Sequence, residues 1–189
     1  MRVYRKAKGL LSWLFVLILV CPLVTFGRDR LVKINKVELQ RTLGRLKLRA
    51  ELNFQLSTSA EEALHSGIIL YWNVPVVLKQ SRWGGLWHET LLHHAHRYSL
   101  SYHTLVNNYR VTDEQTHFFR RFASLKGALK HMSRVEYREL SVAGASSEQC
   151  ILTVFNVIFD KEALPSPLRP FAYFDRAWDL SAQEWQQCE

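Results

Sequence analysis

From Arg45 to Leu56 every even position is apolar (Leu46, Leu48, Ala50, Leu52, Phe54, Leu56) and every odd one is charged or polar. A period of two places successive side chains on opposite faces, so this segment reads as a strand with one wet face. Leu31 to Thr42 has a similar pattern that slips phase between Ile34 and Val37, as a bulge would make it, and Gly44 supplies the turn that joins the two into an antiparallel hairpin. A third strand is expected over Ile68 to Lys79, with Ile68, Leu70, Trp72, Val74, Val76 and Leu78 on one face. Pro75 lacks a donor, which directs that strand to a sheet edge or a bulge. Further strands fall near Arg97 to Thr104, Tyr109 to Thr112, His117 to Arg121 and Cys150 to Phe159, separated by turn residues at Asn107-Asn108 and at Asp113 to Gln115.

Two segments follow the helical period instead. Ser57, Thr58 or Ser59 can cap a short helix over Ala60 to His65, with Glu61 and Glu62 in its first turn and Gly67 as its stop. Ser124 caps a second, with Leu125, Ala128, Leu129 and Met132 on one stripe and Lys126, Lys130 and Arg134 opposite. The fold class that follows is α+β, mainly β: an antiparallel sheet with two short helices on one face. Pro165, Pro167 and Pro170 predict an extended strap that lays Leu164, Leu168 and Phe171 across the sheet. No internal repeat or linker interrupts the chain, so residues 28–189 are expected to form a single domain.

The amino terminus changes the picture. Met1 to Gly9 holds Arg2, Arg5, Lys6 and Lys8 and no acid, Leu10 to Phe26 is a largely apolar run, and Thr25-Phe26-Gly27 offers a signal-peptidase site. Residues 1–27 are therefore expected to be a signal peptide, or an uncleaved membrane anchor, since the run also reaches the lower limit of a span. Either way the rest of the chain is exported, to the periplasm or the periplasmic face of the inner membrane. The formal net charge is +8, of which residues 1–27 carry half. What remains forms no basic run, and export removes access to nucleic acid, so no nucleic-acid partner is expected. Export also places Cys150 and Cys188 in an oxidising compartment, where a disulfide between them and a pair of free thiols are both open readings.

Five of the eight histidines lie between His88 and His103. His88 and His93 are five residues apart and would diverge by roughly 140° on a helix, so this is no zinc-protease motif. On a strand, His94 and His96 share a face and could hold a metal if a third ligand approached. No Gly-x-Ser-x-Gly elbow is present and no catalytic constellation can be assembled by spacing. Neither a catalytic residue nor a cofactor is assigned. In Arg82-Trp83-Gly84-Gly85-Leu86-Trp87, two indoles flank a flexible turn; they either pack on the sheet, rest at a membrane surface, or meet a protein, with Arg82, Trp83 and Trp87 as the contact residues.

The segment Leu164-Pro165-Ser166-Pro167-Leu168-Arg169-Pro170-Phe171-Ala172-Tyr173, together with Trp178, the Trp83 to Trp87 turn and the Tyr98 to Val111 hairpin, resembles the domain-of-unknown-function family numbered 4390. This chain departs from that family's pattern in having fewer tryptophans in the turn and more histidines after it. The resemblance implies an exported Gram-negative bacterial protein without an assigned activity, often encoded beside a membrane sensor kinase of the nitrogen-regulation type. It brings no catalytic residues. The expectation is a non-enzymatic accessory or binding protein of the envelope, with a membrane protein or membrane surface as partner and a role in envelope signalling. The alternative is a metal-assisted enzyme that uses the histidines between His88 and His103.

Overall fold

The computed structural model describes residues 31–42, 45–82, 86–141 and 151–188. Among the described residues, nine strands form two sheets, and every pairing is antiparallel. The smaller sheet has the order β1-β2-β7, from β1 (Val32–Thr42), β2 (Arg45–Phe54) and β7 (Arg134–Ser141). The larger has the order β6-β5-β4-β3-β8-β9, from β3 (Leu70–Arg82), β4 (Trp87–His103), β5 (Asn108–Asp113), β6 (Phe118–Phe122), β8 (Ile151–Phe159) and β9 (Ala182–Cys188). The phase slip expected in the first strand is present as a register shift between Ile34 and Lys36.

Period-two patterning explains why the sheets close on each other. Leu46, Leu48, Ala50, Leu52 and Phe54 of β2 face Leu70, Trp72, Val74, Val76 and Leu78 of β3, and all are buried in one hydrophobic core. Trp72 is fully buried in it, edge-on to Phe54 at 5.8 Å and beside Phe159 at 5.3 Å, and its indole Nε1–H donates to the Leu180 carbonyl at 3.0 Å. Polar satisfaction of the ring nitrogen is what lets so large a side chain be fully buried.

Pro75 does not put its strand at an edge: β3 is central, between β4 and β8. The ladder accommodates the missing donor locally. Pairing with β8 passes from Asn73↔Ile158 to Val76↔Phe155 without Val74 or Pro75, and the Val74 carbonyl accepts a hydrogen bond from the Tyr137 hydroxyl of β7.

Among the described residues there are three α-helices: α1 (Thr58–His65), α2 (Leu125–Met132) and α3 (Arg169–Phe174). Ser57 Oγ caps α1 by accepting from the Ala60 N–H at 3.1 Å, and Ser124 Oγ caps α2 by accepting from the Gly127 N–H at 3.2 Å. Gly67 leaves α1 with φ +87°, a conformation that only glycine adopts without strain. α3 replaces the expected proline strap. Residues 166–168 form a turn, Pro170 occupies the first helical turn where its missing N–H costs nothing, Leu164 is buried, and Phe171 faces solvent.

The register fixes two opposite ends. At one, Val32 pairs with Phe54, Leu70 with Leu100, His103 with Asn108 and Trp72 with Phe159; at the other, Thr42 pairs with Arg45, Arg82 with Trp87 and Leu152 with Cys188. All three helices connect strands at the first end.

Candidate functional site

The histidine-rich segment belongs to β4, which starts at Trp87, ten residues before the start expected from its alternation. β4 is longer than its neighbour on one side. β5 pairs with it only from Tyr98↔Asp113 to His103↔Asn108, while β3 pairs with it from Trp87 to Leu100. Glu114 N–H donates to the Arg97 carbonyl at 2.8 Å and the Gln115 amide reaches the Ala95 carbonyl. Beyond that point, among the described residues, no strand covers the β5 side of β4 between Trp87 and His94.

That open stretch ends in an exposed apolar tip. Trp87 is 67% exposed and Leu86 89% exposed, and Arg82 Nε donates to Glu89 Oε2 at 2.8 Å across the strand pair. Trp83 lies outside the described residues.

His94 and His96 do share a face, as alternation requires, and it is the inner face of β4, opposite Val76 and Val74. Their rings meet edge to face at 5.1 Å. Both also contact Tyr137 of β7, at 5.6 Å and 4.6 Å, and His96 stacks on Tyr98 at 5.9 Å. Asp113 Oδ2 stands 3.4 Å from His96 Nδ1. Burial lowers the His96 pKa and outweighs the pull of Asp113 in the other direction, so the imidazole is neutral at neutral pH. Burial also raises the Tyr98 hydroxyl to about 12 and Tyr137 further still. Both phenols therefore stay protonated at neutral pH, and the Tyr137 hydroxyl donates to the Val74 carbonyl. Among the described residues, no group of three or more His, Cys, Asp and Glu side chains could hold a metal ion. Asp113 and Tyr137 were not legible as neighbours of the histidine pair, because one comes from the end of β5 and the other from a strand the periodicity did not reveal.

A three-stranded sheet cannot cover a six-stranded one. Past β7, α2 packs against β5 and β6, and a cleft of about 280 Å³ remains, lined by Tyr98, Asp113, His131, Arg134 and Arg138. Nearby, Lys47, Arg49 and Arg138 hydrogen-bond Glu136 and hold its carboxyl down at about 2. A broader groove of about 830 Å³ runs between the end of β2 and α2, floored by Phe54, Leu56, Leu125 and Leu129 and rimmed by Lys126 and Lys130.

Cys150 lies outside the described residues, and Cys188 is described only as the last residue of β9. Its register partner is Leu152, two residues along the chain from Cys150.

The family model described as domain of unknown function (DUF4390) matches residues 30–189. Comparison with curated proteins and with solved structures gives no match.

Proposed function

This chain belongs to the DUF4390 family, and from that membership we propose that it is an exported, non-enzymatic accessory protein that binds a membrane protein of envelope signalling. The apolar leader supports export, with the domain either released into the periplasm or tethered at the periplasmic face of the inner membrane. The sensor kinase whose gene often neighbours those of the family is the partner this reading names.

The observation that carries the binding role is the uncovered edge of β4. Its main-chain N–H and C=O groups form a template onto which an extended segment of a partner can add as a further strand, and alternate side chains then give specificity. Trp87 and Leu86 at the tip provide the large apolar anchors on which such contacts depend.

Two measurements test this. Protease added to spheroplasts should digest the domain; survival until the cells are lysed would overturn export. Chemical crosslinking in cells should join the whole chain to the neighbouring sensor kinase, and Leu86→Ser with Trp87→Ser should reduce the yield about tenfold, which corresponds to the loss of a single good apolar anchor. Absence of the kinase adduct, or equal yield from both chains, would overturn the binding mode.

A further inference from the structure

Leu31 and Trp87 lie at opposite ends of the molecule. Leu31 is the first described residue; its carbonyl accepts from the Gln55 N–H at 2.7 Å, and Val32 pairs with Phe54, whose ring meets Trp72. From the level of Trp72 to Arg82, β3 runs ten residues, about 33 Å at the rise of a strand. Only Gly27 to Arg30 separate the apolar leader from Leu31, a reach of about 14 Å when fully extended. A leader held in a bilayer therefore brings the helical end of the domain to the lipid and keeps Trp87 away from it.

That helical end is greasy where it meets solvent. Leu105 and Val106 stand fully or largely exposed on the turn between β4 and β5. On α3, Phe174 is 90% exposed, and Phe171 and Tyr173 are exposed beside it. α1 lies between these two tips: His65 hydrogen-bonds Tyr109 and meets the Tyr102 ring, and the same helix touches the turn at Arg176–Trp178 that follows α3. The chain keeps two apolar tips at the same end of the molecule as Leu31.

We propose that this end, through Leu105, Val106, Phe171 and Phe174, rests in the interfacial layer of the bilayer that holds the leader. It rests on the reading that the chain is carried at a membrane, and it assigns the lipid contact to the end opposite the Trp87 tip. Asp160, Glu162, Asp175 and Asp179 offset Lys161, Arg169 and Arg176 around α3, so the attraction is apolar and does not call for anionic lipid.

The test is hydrogen–deuterium exchange of the whole chain reconstituted in phosphatidylcholine vesicles, with and without phosphatidylglycerol, against the same chain in detergent. Supplying the bilayer directly makes the result independent of cellular location and of any kinase. Amides of residues 104–107 and 169–176 should exchange about tenfold more slowly in both vesicle types, while residues 86–90 stay unchanged. In parallel, a nitroxide on Phe174→Cys in a chain with its native cysteines replaced by serine should be reached by oxygen more than by a water-soluble nickel chelate, and one on Leu86→Cys the reverse. Unchanged exchange at both tips, protection at residues 86–90 instead, or a Phe174→Cys label as open to the nickel chelate as the Leu86→Cys label would overturn the proposal. Protection only with phosphatidylglycerol would overturn its apolar basis.

Discussion

His96 concentrates the residue-level physics of this protein: an imidazole on the inner face of a strand, against Tyr98 and Tyr137, with its pKa lowered by burial. In the unfolded chain it titrates near its ordinary value of 6.5, so as pH falls through that value the unfolded state binds the proton first and stability drops. The urea midpoint should therefore be lower at about pH 5.5 than at about pH 7.5, and His96→Gln should flatten that dependence. Burial and Arg120 lower His131 in the same direction, so some slope remains. Equal slopes in both proteins would contradict the assignment. Trp72 is the other residue on which much depends. Trp72→Ala removes a fully buried indole, its contacts with Phe54 and Phe159 and its bond to Leu180, and should cost about 3–5 kcal/mol in urea unfolding.

At the scale of elements, local signals were read most surely where neighbours did not interfere. A cap among Ser57, Thr58 and Ser59, the cap Ser124, the Gly67 stop and the bulge near Ile34 were legible, because each is a property of four or five consecutive residues; the structure selects Ser57. Ser124→Ala should accordingly lower stability by about 1 kcal/mol, measurable by denaturant titration, with α2 frayed at its start. Elements whose conformation is set by partners were not legible. β7 reads Arg-Val-Glu-Tyr-Arg-Glu-Leu-Ser, a short alternation rich in charge, and only pairing with β2 makes it a strand. Trp87 to His96 carries no clean period because this half of β4 is exposed along much of its length; pairing with β3 supplies its conformation. The prolines suggested extension, but Pro170 at the start of a helix is equally at home, and the packing of Leu164 and Ala172 chose the helix.

For the whole molecule, both sheets draw on one core, so neither half has a hydrophobic interior of its own. Calorimetry should show a single transition with equal calorimetric and van't Hoff enthalpies; two resolved transitions would mean the sheets unfold separately. Pairing of β9 along β8 returns the end of the chain to Leu152, so a Cys150–Cys188 bridge would close a long loop, with stabilisation of about 4 kcal/mol on the chain-entropy model. Alkylation of the oxidised, denatured protein followed by mass measurement should then find neither thiol modified, whereas two modified thiols would exclude the bridge.

Alternation of apolar and polar residues determined by itself that this chain is mainly antiparallel β, which residues of β2 and β3 face inward, where two helices start, and that His94 and His96 lie on the same side of a strand. These follow from the period of the backbone and need no knowledge of neighbours. Only the tertiary structure decided that the strands divide into two sheets, that β3 is central despite Pro75, that the histidine pair meets Tyr137, and that Leu31 and Trp87 are at opposite ends. Those facts depend on pairing between segments far apart in the chain, and register is fixed by how two faces pack together, which no single stretch of sequence contains.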